Sequence, residues 1–132
     1  MKFFRPIPIL RVEGAVVFAA SLACYQQARG SWLAFALLFF APDVSILPYL
    51  LSSTAGWASY NTVHSYVWPV LLAGAAWACG CGSLLHGALI WSAHISFDRL
   101  LGFGLKEGED FWITHLGAIK TGKAIWTTLN TR

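Results

Sequence analysis

Asp43, His64, His94 and Asp98 are the residues of this 132-residue chain whose types could do chemistry together. Two imidazoles and two carboxylates form the ligand set of a Zn, Fe or Mn site, in which a bound water is acidified and attacks a substrate or is oxidised. Their setting gives the set weight. Between Gly14 and Phe97 the chain carries two formal charges, Arg29 and Asp43, and Asp43 lies in a run that otherwise reads as membrane-spanning helix. An ionised aspartate at bilayer depth costs roughly 2.5–3.5 kcal/mol on insertion scales, so Asp43 requires a partner or a task. The other ionisable groups within the apolar stretches are His64, His86 and His94, with Glu13 and Asp98 at their ends. Asp98 follows His94 by one helical turn, and Tyr60 and Asn61 precede His64 by about one turn, so each group shares a face. The expected ligands are Asp43, His64, His94 and Asp98, joined by Glu13. Tyr60, Asn61, Arg11, Arg99 and His115 are expected to support them or to line the mouth.

The elements that must position these residues follow from composition. The chain is 57% hydrophobic and 11% charged, with a mean hydropathy of +0.59, far more apolar than a soluble domain of this size. Four windows reach or approach the length needed to cross a bilayer, at about 12–28, 31–52, 55–78 and 81–101. The reading is therefore all-α: a single domain over 1–132, an integral membrane antiparallel four-helix bundle with a cytoplasmic tail at 102–132. The connections at Arg29-Gly30, Ser53-Thr54 and Cys79-Gly80 are too short for anything but antiparallel neighbours. Pro42 and Pro48 bracket Asp43 and should bend or locally unwind the second span, and Pro69 should do the same in the third. Broken backbone at depth is tolerated where protein or a wet cavity covers it, which favours an internal polar site. Pro6 and Pro8 are expected to keep the segment before the first span extended or kinked.

Charge sets the orientation. Lys2, Arg5 and Arg11 precede the first span, and Arg99, Lys106, Lys120, Lys123 and Arg132 end or follow the last. By the positive-inside rule both termini are cytoplasmic. The net charge of +3 is spread over the two ends rather than clustered on a face, so nucleic acid is not an expected partner. With this orientation Asp43, His64 (about 13 Å into the third span at 1.5 Å per residue) and His94 fall at similar depth in the cytoplasmic half of the bilayer. The N-terminus resembles a signal peptide in its basic start and apolar run, and the segment is expected to be retained. Cys24, Cys79 and Cys81 lack the spacing of a redox or zinc pair and read as packing residues, with an outer-loop disulfide as the lesser reading. After Leu101, alternating glycines make a loop, and Phe111, Trp112, Ile113 and Leu116 suit a short interfacial segment, with Trp126 as a further anchor.

The motifs Arg11-Val-Glu13-Gly14, Ala41-Pro42-Asp43 with Tyr49, Gly56 followed by Tyr60-Asn61-x-x-His64-x-Tyr66-x-x-Pro69, Ala93-His94-Ile95 with Asp98-Arg99, Gly102-Phe-Gly104-Leu-Lys106, and Phe111 with Thr114-His115-Leu-Gly117 resemble, in this order, a small bacterial membrane-protein family catalogued as domain of unknown function 4260. The resemblance covers about residues 11–117 and departs from the family pattern at Phe103, where Tyr is usual. It implies four spans, a place in the bacterial inner membrane and the polar cluster already reached from the residues. It supplies no reaction.

Plainer roles remain open for each residue. Membrane histidines often bond across helices, so His64 and His94 could simply pair with Asp43 and Asp98. His86, alone and nearer the outer side, reads as structural. His115 is either a capping group or part of a lid, and Arg11 and Arg99 are either headgroup contacts or mouth residues. Three functions fit: a metal-dependent intramembrane site acting on a lipid or amphiphile, a small proton-coupled transporter, and a non-catalytic accessory subunit of a larger membrane complex. A haem held by His64 and His94 is a weaker variant of the first. Partners are accordingly the lipid bilayer and either a second copy or a larger assembly. Phosphate-cradling glycine loops and Ser-His nucleophile patterns are lacking.

Overall fold

The computed structural model describes residues 6–107 and 113–118. Five α-helices follow in order: α1 (Pro6–Gln27), α2 (Trp32–Leu38), α3 (Ser53–Val63), α4 (Val67–Cys79) and α5 (Gly82–Leu101), with a 3₁₀ helix (Ala41–Leu50) between α2 and α3. A minimal hairpin follows, pairing β1 (Ile113–Thr114) with β2 (Gly117–Ala118) in antiparallel register. The described residues are thus helical almost throughout.

Local chemistry sets the boundaries. Ser31 caps α2 by accepting the Ala34 N–H, and Ser52 caps α3 by accepting the Ala55 N–H, each satisfying an orphan donor of the first turn. The second expected span does unwind at its prolines: α2 stops at Leu38, and the stretch holding Pro42, Asp43 and Pro48 is 3₁₀. The expected third span is split into α3 and α4 at His64–Tyr66, upstream of Pro69, whose ring is incompatible with a straight helix through Ser65. α5 ends at Gly102, whose φ of 94° suits a residue without Cβ. Pro6 and Pro8 do not keep their segment extended. Both lie within the first turn of α1, where no intrahelical N–H is required of them.

α5 is the centre of the packing. It lies against α1 and α4, while α3 packs on the 3₁₀ helix. The α5 side chains Ala88, Ile90, Ala93, His94, Ile95 and Ser96 are all buried. Gly14 permits the close approach of α1, since a Cβ there would stand 2.8 Å from both Arg99 Cβ and the Leu100 nitrogen. Arg11 adds a hydrogen bond from Nε to the Leu100 carbonyl at 2.9 Å. Large apolar side chains face outward, among them Leu50, Leu51 and Trp77, each at least 85% exposed. Two helical stretches, Ile7–Gln27 and Trp32–Leu50, are long and apolar enough to cross a membrane. α4 is apolar but shorter, and α5 has the length but carries His86, His94, Asp98 and Arg99. A membrane helical protein fits both features.

Candidate metal centre

Three segments converge on one point. The 3₁₀ helix brings Asp43, the C-terminal cap of α3 is His64, and α5 brings His94 and Asp98 on one face. His64 Nε2 lies 3.1 Å from His94 Nε2, 3.6 Å from Asp43 Oδ1 and 3.5 Å from Asp98 Oδ2. His94 Nε2 lies 3.3 Å from Asp43 Oδ1 and 3.4 Å from Asp98 Oδ2. All four ligand atoms fall within 4.8 Å of one another. Bonds of about 2.0–2.1 Å arranged tetrahedrally place neighbouring ligands about 3.3–3.4 Å apart. Five of the six separations, at 3.1–3.6 Å, match that spacing, and the sixth, between the two carboxylate oxygens, is no more than 4.8 Å.

The break between α3 and α4 is what aims His64. Outside the regular helix, its backbone N–H bonds the Tyr60 carbonyl at 2.8 Å, and its ring Nδ1 donates to the same carbonyl at 3.0 Å. That second bond fixes the tautomer and leaves the Nε2 lone pair directed at the centre, as a metal-binding imidazole requires. The carbonyls that the break exposes are answered by side chains of α5. Trp91 Nε1 donates to the Val63 carbonyl at 2.8 Å, and Arg99 donates to the His64 carbonyl at 3.2 Å and to the Phe103 carbonyl at 3.3 Å. Ser45 Oγ, bonded to the Pro42 carbonyl at 2.7 Å, lies 3.5 Å from His64 Nδ1. The imidazoles are also held by rings: Tyr60 stacks on His64 at 3.8 Å between centroids, and Phe39 meets His94 edge-on at 5.4 Å. His94 Nδ1 is buried without a hydrogen bond of standard geometry.

Burial is uneven. The His64 and His94 side chains are 1% and 2% exposed and Asp98 is 16% exposed, whereas Asp43 is 40% exposed. The centre is therefore closed by protein except on the side of Asp43.

Beyond the end of α5 the chain folds back over α3. Asn61 clasps the backbone of Lys106, its Nδ2 donating to the Lys106 carbonyl at 2.8 Å while its Oδ1 accepts the Lys106 N–H at 2.6 Å. Lys106 Nζ sits 4.9 Å over the Tyr60 ring. Burial pushes this ammonium down to about 8, partly opposed by the charge of Asp98. His115 is joined to Leu105 twice: its Nδ1 accepts the Leu105 N–H at 2.8 Å, and its N–H donates to the Leu105 carbonyl at 3.0 Å. Desolvation, with Arg99 adding repulsion, holds the His115 imidazolium below the usual histidine range.

Of the residues singled out in the sequence, Asp43, His64, His94 and Asp98 come together, with Tyr60 and Arg99 against them. Asn61 and His115 act on the C-terminal loop, and Arg11 ties α1 to α5. Glu13 stands on an exposed face of α1, outside the four-residue group. The reason is helical phase: Gly14 is the residue that meets α5, and Glu13 is turned about 100° away from it. His86 bonds the Ala28 carbonyl at 2.9 Å and packs on Tyr25, a structural tie at the far end of α5. Cys24, Cys79 and Cys81 are free thiols. Phe111, Trp112, Trp126, Lys2, Arg5, Lys120, Lys123 and Arg132, assigned above to an interfacial segment or to topology, lie outside the described residues. Sequence reasoning missed Ser45, Phe39 and Trp91 as supports, and took Lys106 for a topology charge although it is 5% exposed. Nothing in a lone Lys following a glycine loop marks it as buried.

A profile of the family described as domain of unknown function 4260 matches residues 8–119. Neither the curated proteins nor the solved structures contain a match to the chain.

Proposed function

The chain belongs to the family whose profile it matches, and we propose that its four-residue centre binds a divalent metal ion, Zn, Fe or Mn, and acts on a lipid or amphiphile within the membrane. The observation that carries this reading is the convergence of two Nε2 atoms and two carboxylate oxygens at ligand-to-ligand spacing. With His64 Nδ1 committed to the Tyr60 carbonyl, a neutral His64 presents a lone pair to a second ring nitrogen at 3.1 Å. Two imidazolium N–H groups cannot face each other at that distance. Two carboxylates add negative charge that protein at this depth must balance. One divalent cation answers all four groups at once, and it supplies an acidified water or a Lewis acid. Asp43, the exposed ligand, is the one beside which a substrate gains access. A haem suits the geometry poorly, because the two Nε2 atoms stand 3.1 Å apart, too close to admit a porphyrin plane and its iron between them, and oxygens of Asp43 and Asp98 flank both.

The broken pair α3 and α4 and the polar-faced α5 supply the third and fourth spans in this reading, with both termini cytoplasmic in a bacterial inner membrane. The centre then lies toward the inner leaflet, with Asp98 and the Lys106 loop at its cytoplasmic end. Proton-coupled transport and an accessory role in a larger complex use the same residues without a metal, and metal analysis separates them from the proposal. Protein purified in detergent without chelator should carry about one divalent ion per chain by elemental mass spectrometry, and His64→Leu and Asp98→Asn should lose it while remaining helical. A metal-free wild type that also fails to take up Zn, Fe or Mn on titration would overturn the reading.

A further inference from the structure

An open apolar cavity of about 360 Å³ adjoins the centre, within the size range of small-molecule sites. Most of its wall comes from the segments that supply the ligands, with Leu38 of α2 and Leu72 of α4 completing it. Pro42 directly precedes Asp43, Val63 directly precedes His64, and Ile90 lies one turn before His94 on α5. Gly87 and Trp91 complete the α5 wall. The lining offers almost no polar surface, and the one indole donor, Trp91 Nε1, is spent on the Val63 carbonyl. An occupant therefore finds no hydrogen bonds there, which excludes a sugar or a peptide backbone and suits hydrocarbon. The rim is continuous with apolar outer surface at Leu38, which is 50% exposed, so hydrocarbon can enter sideways. Asp43 is the exposed ligand of the centre and adjoins this wall through Pro42.

We infer that this cavity holds an acyl chain of a membrane lipid, with the polar part of the same lipid at the Asp43 side of the four-ligand centre. The inference rests on the metal reading for the polar end and on the cavity alone for the chain. Gly87 is the specificity-determining position: a Cβ there would meet only Leu72 Cδ2, at 3.7 Å, so the space in front of α5 is available to the ligand because residue 87 has no side chain. A larger residue fills the cavity without displacing backbone.

The test uses the full chain in vesicles of phosphatidylethanolamine and phosphatidylglycerol doped with a phospholipid carrying a diazirine at the end of one acyl chain. After irradiation, labelled peptides are mapped by mass spectrometry and metal is counted on the same sample. The expected map shows labelling of the cavity wall at Leu38–Pro42 and Gly87–Trp91 above that of the outward-facing Val16 and Trp77. Gly87→Phe should lower the wall labelling by about tenfold and leave metal content unchanged. Ala41→Phe fills the cavity from the opposite wall and serves if Gly87→Phe does not fold. Labelling no greater at the wall than at Val16 and Trp77, or unchanged in both variants, overturns the acyl-chain site, as does wall protection by cross-linked protein rather than lipid. A wild type that carries no metal and takes up none on titration sinks the metal reading instead, and the label map then still decides the chain site.

Discussion

His64 Nε2 and His94 Nε2 face each other at 3.1 Å, and one oxygen each of Asp43 and Asp98 lies 3.3–3.6 Å from both. With the His64 Nε2 lone pair directed at the pair, two neutral rings meet at that distance when His94 Nε2–H donates to it, which leaves two carboxylates beside uncharged rings, whereas one shared cation balances all four groups.

Chelation should therefore destabilise the protein. A bound ion contributes about 4 kcal/mol at a thousandfold excess over its Kd, and its removal leaves two buried imidazoles and two carboxylates unbalanced. Thermal unfolding in detergent should shift to lower temperature with a strong chelator and recover on adding the ion back. The Asp43→Leu/His64→Leu pair should be indifferent to chelator, because it leaves no matched set to bind metal. A wild type equally indifferent would argue that the cluster is hydrogen-bonded glue.

Arg99 is predicted to matter without touching the metal. Its guanidinium holds the His64 carbonyl, exposed by the helix break, and the Phe103 carbonyl beyond α5. Arg99→Met should weaken metal binding by roughly 10–100-fold, as loss of other outer partners does, while Arg99→Lys recovers part of it through one of the two bonds. Unaltered affinity in Arg99→Met would show that the break is held by other contacts.

The sequence made Asp43, His64, His94 and Asp98 legible because a charge in an apolar run demands an answer, and few groups were present to give it. Helix breaks were legible as well, since Pro42, Pro48 and Pro69 remove donors wherever they stand. Helical phase was less so. Glu13 looked like a fifth ligand by depth, yet its direction depends on which neighbour meets α5, and that is decided by the close contact at Gly14. Supports such as Ser45 and Trp91 were invisible because they act on carbonyls that exist as acceptors only once the chain is bent. Lys106 was misread for a similar reason: its burial comes from the Asn61 clasp, a contact between residues 45 positions apart.

Lys106 gives a pH signature. Its ammonium ordinarily loses its proton near 10.5 and in the folded chain near 8. Below about 8 both states are charged and the desolvation cost is fully felt. Between 8 and 10.5 the unfolded chain binds more protons, so folding stability should rise with pH across that window. Lys106→Met should be flat over the same range. Parallel profiles for the two proteins, after correction for the other groups, would mean that Lys106 is hydrated.

The clamp between His115 and Leu105 should open in acid. His115 Nδ1 accepts the Leu105 N–H, so protonation turns an acceptor into a donor and sets two donors against each other. Because the folded imidazole is held below its usual value near 6.5, the unfolded or unclamped chain binds protons first as pH falls. The stabilisation is complete above about 6.5 and is lost progressively below it. Hydrogen exchange at the Leu105 amide reads this directly. After correction for the intrinsic pH dependence of exchange, protection in the wild type should fall below that pH, and His115→Ala should lack protection at every pH. Protection at Leu105 that persists in His115→Ala would show that the amide is shielded by burial rather than by the imidazole.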